Sequence, residues 1–341
     1  MPSVMGVAGA LEADQLGLTL PHEHLFVDLR CYCPPEPQDA ALKVHYRQPV
    51  TLQNRSEVAI HPWEYRDNPV LDDLVSSMDE VLAFKSLGGK TVADLSCSPA
   101  MGRDPQGLQQ VAERTGVNII MSAGRYTYPS LNEREKKLSV ADIETLILNE
   151  FISGVQGGIY PGMLKAGFVT TIDKEPEIRT LRAVGRVQAK VGCALAVHPH
   201  IWQPDSHHIL DILEDEDCDL RRVILCHQDF LGNRTAYLDS LCKRGAYIEF
   251  DTFGCGWIND PMWQLGDAEK IGFLRQQVDL GNQQHLLISG DMCLKLMLSK
   301  WGGTGYVNIP KFVIPAMKEA GFTTELIRLI TIENPARVFC H

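Results

Sequence analysis

From residue 194 the chain reads Ala194-Leu195-Ala196-Val197-His198, crosses an amphipathic stretch at Ile209–Glu214, and returns to Arg222-Val223-Ile224-Leu225-Cys226-His227. Each apolar run is short, near-continuous and closed by a histidine, as expected of a strand buried on both faces. A helix between two such runs makes them parallel neighbours joined by a right-handed crossover. The same unit recurs in both directions. Strands are expected at Leu18–Val27, Thr91–Cys97, Val117–Ala123, Gly167–Ile172, Ala246–Asp251 and His285–Asp291, with amphipathic helices at Leu71–Ser86, Val140–Val155 and Ile178–Val191. Eight strands alternating with helices predict an α/β fold of the (β/α)8 TIM-barrel type. An open doubly wound sheet would carry a glycine-rich phosphate loop after an early strand, and none is present. The irregular stretch from Cys31 to about Asn68 reads as a long loop after the first strand.

The whole chain, residues 1–341, is read as one domain, since it shows no linker, repeat or low-complexity tract. Hydrophobic residues at 45 % and charged residues at 22 % are ordinary globular values. A net charge of −11 excludes a nucleic acid or an anionic membrane as the expected partner, leaving small molecules. The start, Met1-Pro2-Ser3-Val4-Met5-Gly6, has no signal-peptide pattern, and no apolar run approaches the ~18 residues of a spanning helix. A cytoplasmic location is expected. Ten scattered cysteines suit reduced thiols better than a disulfide framework.

The chemistry-bearing residues fall at strand ends. His22 and His24, in Leu20-Pro21-His22-Glu23-His24, are two apart and so share one side of a strand. His198 closes the fifth strand, His227 the sixth, and Asp291 the eighth in Leu286-Leu287-Ile288-Ser289-Gly290-Asp291. Any one alone reads as a hydrogen-bonded histidine or a helix cap. Five metal-capable side chains at the mouth where barrels hold their active sites read as a metal centre.

With these ligands on the page, the sequence resembles the phosphotriesterase-like family of the amidohydrolase superfamily. Further matches are Gly88-Gly89-Lys90-Thr91, Gly102-Arg103-Asp104, Lys165-Ala166-Gly167, Phe250-Asp251-Thr252 and Glu333-Asn334-Pro335-Ala336-Arg337. The resemblance spans essentially the whole chain. It implies a homodimeric hydrolase with two divalent ions, zinc by ligand type, and a bridging hydroxide as nucleophile. By the same resemblance, His22, His24 and Asp291 hold the more buried ion and His198 and His227 the more exposed one. Asp291 then also accepts a proton, as the catalytic residue. The implied activity is hydrolysis of an ester, a lactone or carboxylate ester ahead of a phosphoester. The alternative is a ligand-binding barrel that retains its metals with little turnover.

Relatives of this kind bridge their ions with a carboxylated lysine or a glutamate at the end of the fourth strand. With that strand at Gly167–Ile172, the bridging position falls on Thr170, a poor anionic bridge, and Lys165 falls before the strand, at the opposite end of the barrel. Cys97, at the end of the second strand, is then the expected replacement as a bridging thiolate. Asp173 and a single-metal site remain as alternatives. Thr252 stands where some relatives have a proton-relaying histidine, which makes Asp229 a relay or an orienter of His227. Substrate contacts are expected from Arg125, Tyr126 and Tyr128 after the third strand, and His200 and Trp202 are placed at the pocket wall. For Trp257 a lid and a plain loop fit equally, and Lys295 reads as a solvated helix lysine.

Overall fold

The computed structural model describes residues 2–169, 174–259 and 265–341. Eight strands form one sheet in sequence order: Leu18–Glu23, Gly89–Asp94, Asn118–Arg125, Met163–Phe168, Ala194–Pro199, Val223–Leu225, Tyr247–Phe250 and Leu286–Ile288. Every ladder between them is parallel, and helices occupy the connections, which makes the (β/α)8 barrel expected from the sequence.

The fourth strand corrects the reading. It runs Met163–Phe168, four residues earlier than the predicted start, and its register pairs Lys165 with Gly124 and with Ala196. Residues 163–166 fall outside the predicted strand, yet Lys165 among them is 1 % exposed. The rest of the predicted strand, from Thr170 to Ile172, lies outside the described residues, as does Asp173.

The first and eighth strands close the barrel without a regular ladder. The His22 amide donates to Ser289 Oγ at 3.1 Å and the Asp291 amide donates to the His22 carbonyl at 3.2 Å. Glu23, between the two histidines, turns to the other side and staples this seam. Its carboxyl group meets Ser289 Oγ at 2.8 Å and accepts from the amides of Gly290 at 2.8 Å and Met292 at 2.9 Å. Burial pushes this carboxyl up to about 8, beyond what its amide donors recover. Ser289 can then donate to the His22 carbonyl at 2.8 Å while accepting the Glu23 proton, so every member of the seam is satisfied.

The native state therefore binds the Glu23 proton more tightly than the unfolded chain does. Its contribution is complete below about pH 4.5 and is lost as pH rises through about 8. Glu23→Gln, an isostere of the protonated acid, should unfold within about 1 kcal/mol of wild type and flatten that pH dependence, whereas Glu23→Ala should cost roughly 2–3 kcal/mol. Urea titrations from pH 5 to 9 distinguish the two; equal losses in both variants would exclude the seam.

The stretch from Cys31 to Asn68 is not a plain loop. It contains helices Ala40–Arg47, capped by Asp39 on the amides of Ala41 and Leu42, and Arg55–Ile60. Both are too short to show a periodic pattern. An antiparallel hairpin, Ser3–Gly6 with Gly9–Glu12, precedes the barrel. From it Val4 joins Leu16, Leu287, Val338 and Phe339 in an apolar plug inside the barrel. Among the described residues no helix is long and apolar enough to cross a membrane.

Candidate functional site

His22, His24, His198, His227 and Asp291 line one cavity of about 370 Å³. Their side chains are held by partners that settle which nitrogen faces the cavity. Asp251, on the backbone just past the seventh strand, takes His22 Nδ1 on one carboxylate oxygen at 2.8 Å and His227 Nδ1 on the other at 2.7 Å. A carboxylate only accepts, so both Nδ1 atoms carry a proton, and each ring in its neutral form presents the lone pair of its Nε2. His24 Nδ1 is held likewise by Ser96 Oγ at 2.8 Å.

The free atoms converge. Asp291 Oδ1 lies 3.2 Å from His24 Nε2 and 3.5 Å from His22 Nε2, and His227 Nε2 lies 2.6 Å from His198 Nδ1. His22, His227 and Asp291 place one ligand atom each within 4.8 Å of one another. Two of these ligands, His227 with φ 57° and Asp291 with φ 45°, sit in the left-handed region that side chains other than asparagine and aspartate rarely adopt. Asp291 is one of those exceptions, so the strain falls on His227, at a position of the cavity where a functional site retains it.

The electrostatics suit cation binding. Burial, then the nearby Lys165 ammonium, lowers His22 to about 4, so it is a neutral ligand at physiological pH. His198 is lowered as well, first by burial and then by His227. Burial alone would favour the acid form of Asp251, but His227 and His22 hold it well below the usual carboxylate range. Glu249 beneath it is pushed well above that range, by burial and then by the Asp251 charge.

Lys165 enters this site rather than the opposite end of the barrel. It lines the cavity, and its Nζ donates to Cys226 Sγ at 3.1 Å. Burial pushes the Cys226 thiol up, so it meets the ammonium as a neutral S–H. Lysine in the middle of the fourth strand lines the same cavity as the ligands of the first, fifth, sixth and eighth.

Cys97 does not stand there. It is fully buried away from the cavity lining, its Sγ lies 3.7 Å from Met101 Sδ, and burial pushes its thiol up to about 12. The thiol is therefore no bridge in this arrangement, and Thr170, where the sequence places the end-of-strand bridging position, lies outside the described residues. Cys97→Ala should keep the wild-type metal content and turnover and lose about 1 kcal/mol of stability to the small cavity it leaves. Metal analysis of both proteins side by side tests this, and a drop in bound metal would restore the thiolate.

The substrate residues divide. Tyr126 lines the cavity with its hydroxyl 3.3 Å from His198 Nδ1. Arg125, one residue earlier on the strand, faces the opposite way towards Glu135 at 3.5 Å, and Tyr128 lies under Lys136 with its amide on Glu177. Neither reaches the cavity. Its walls are instead Leu29, Tyr32, Trp63, Val169, Ile201 and Trp202, with His200 beside them. Tyr32 and Trp63 come from the stretch after the first strand, which carries no motif, and only its position in a barrel pointed to them.

Asp229 orients Thr252 rather than His227, accepting from its amide at 3.2 Å and from its hydroxyl. Lys295 pairs with Asp67 at 2.5 Å, and Trp257 donates to the Gly254 carbonyl under Arg55.

Comparison with known proteins identifies the family. Human N-acetyltaurine hydrolase is 30 % identical over 346 residues, covering 97 % of this chain and 96 % of its own. The N-acetyltaurine hydrolase of Xenopus tropicalis is 29 % identical at the same coverage. Among solved structures, a resiniferatoxin-binding protein from Rhodobacter sphaeroides superposes with a TM-score of 0.91 at 31 % identity, covering 99 % of this chain and 95 % of its own. The lactonase Lmo2620 from Listeria monocytogenes shares the fold, with a TM-score of 0.79 at 22 % identity over 99 % of this chain and 98 % of its own. The model of the phosphotriesterase family matches residues 2–339, and the chain belongs to that family.

Proposed function

We propose that this protein is a metal-dependent hydrolase that cleaves a carboxylic acyl bond in a small molecule with an apolar substituent, a lactone or carboxylate ester first. The observation that carries the reading is the convergence of five ligand atoms beside a cavity walled by aromatic and aliphatic side chains. Among the described residues its only cationic side chain besides histidine is Lys165, which faces the ligands. An anionic substrate tail would find no arginine or second lysine there, whereas an apolar one is covered by Tyr32, Trp63 and Trp202.

His22, His24 and Asp291 would hold one divalent ion, His198 and His227 a second, and Lys165 the bridge, with zinc favoured by the imidazole donors. Such a pair, when bound, lowers the pKa of water and polarises the oxygen under attack.

The chain supplies the rest. Asp251 holds both Nδ1 protons, so neither histidine rotates during turnover. Asp291, whose Oδ1 lies 3.2 Å from His24 Nε2, accepts the proton released as water adds to the acyl carbon. Tyr126 points its hydroxyl into the cavity beside His198, where it orients the acyl oxygen.

A second reading, cleavage of an N-acyl amide, is favoured by the N-acetyltaurine hydrolases, since the same polarised carbonyl serves both leaving groups. The name of the Rhodobacter protein keeps a ligand-binding barrel in view. Metal-loaded protein assayed against lactones, carboxylic esters, N-acyl amides and a phosphotriester separates them. Turnover of lactones or esters above the others supports the proposal, and amides ahead of esters move the reading to the relatives' chemistry. Bound metal without any turnover leaves the binding barrel.

A further inference from the structure

At the end of the barrel opposite the histidines, before the sixth, seventh and eighth strands, lies a second cavity of about 340 Å³. It is lined by Arg221, Arg222, Tyr247, Gln284, His285 and Arg337, with Asp219 at its edge. Asp219 holds Arg221 through two contacts, at 2.9 and 3.0 Å, which cancels that charge.

Arg222 and Arg337 have no carboxylate partner among the described residues. The Nη1 of Arg222 donates to the carbonyls of Arg337 at 2.9 Å, Val338 at 3.0 Å and Cys340 at 2.5 Å. The Nη1 of Arg337 donates to Asn334 Oδ1 at 2.9 Å and the Gln284 carbonyl at 3.3 Å. These bonds fix both guanidiniums by one nitrogen and add no negative charge. His285 shares the cavity, and its buried Nδ1 has no hydrogen-bond partner among the described residues.

Two uncompensated guanidiniums in one concavity are conspicuous in a chain of net charge −11. A concave surface focuses their field, and the remaining donors of each guanidinium suit the tetrahedral oxygens of a phosphoryl group. We infer that this cavity binds a small oxyanion of the phosphate class, remote from the catalytic cavity.

The site has a mechanical consequence. Arg222 grips the end of the last helix, Asn334–Phe339, whose Val338 and Phe339 belong to the plug inside the barrel. An anion shared by Arg222 and Arg337 ties that helix to the start of the sixth strand, so its binding reads out as stability.

Thermal unfolding of the metal-loaded protein in sodium phosphate, against sodium chloride at equal ionic strength, tests the inference. The midpoint should rise saturably by roughly 3–5 °C. Arg337→Gln, an exposed substitution, should abolish the rise, while Arg221→Ala should keep most of it because Asp219 already neutralises that side chain. No phosphate-specific rise in wild type would overturn the site. A rise undiminished in Arg337→Gln would also overturn it, placing phosphate in the catalytic cavity as a competitor of substrate. Should Arg337→Gln fold poorly, the histidine proton resonances of wild type give the second reading: a phosphate-dependent shift of His285 supports the site, and none opposes it.

Discussion

Lys165→Ala is expected to lower turnover by about three orders of magnitude, roughly 4 kcal/mol of transition-state stabilisation, and to drop bound metal from two ions per chain to one or none. The effect is large because no other described side chain of the cavity faces the ligands from the fourth strand. An amine is itself a poor bridge between cations. Addition of carbon dioxide to the neutral Nζ amine, with loss of a proton, turns it into a carbamate whose single negative charge is shared by two oxygens, so recovery of activity from metal-free protein should quicken with bicarbonate.

Removing a buried lysine also leaves a void, and Lys165→Met controls for this by restoring most of the volume without the nitrogen. Both variants should lose metal alike while differing in stability. Two ions and wild-type turnover in either would remove Lys165 from the site.

Asp251→Asn carries the second largest expectation, a loss of about 10- to 100-fold in metal affinity together with a fall in turnover. One carboxylate fixes two ligands here, through His22 Nδ1 and His227 Nδ1, and an amide can accept from only one of them. The other imidazole then faces an N–H donor and must take the wrong tautomer or rotate. Metal titrations in competition with a chelator measure the loss, with saturating metal restoring part of the turnover. An unchanged affinity would show that packing alone holds the two rings.

Stability should respond to pH at the same place. Asp251 is held well below its ordinary range in the folded state, so the stability it contributes is present above the unfolded carboxylate range and is lost as pH falls through the depressed value.

Much of this was legible beforehand because it rests on local pattern. Apolar runs such as Ala194–Val197, alternating with amphipathic segments, specify parallel strands under helices wherever they occur, and eight of them leave few topologies. A residue that ends such a run stands at the barrel mouth, which is why His22, His24, His198, His227 and Asp291 were readable as a single centre. Spacing of two in His22 and His24 did the same within one strand.

What failed depended on contacts between distant residues. Lys165 breaks an apolar run, and nothing local reveals that Cys226 and the cavity surround it. Arg125 and Tyr126 are adjacent, so only the strand's orientation separates the one at Glu135 from the one at His198.

By itself, then, the sequence determined the barrel, the end at which its chemistry sits and five of the side chains that meet there, because periodicity and strand ends are properties of neighbouring residues. The tertiary structure alone decided the register of the fourth strand, the left-handed backbone at His227 and Asp291, the tautomers imposed by Asp251 and the aromatic wall from Tyr32 and Trp63. Each of these is settled by residues far apart in the chain, where burial and hydrogen-bond satisfaction outweigh any local preference.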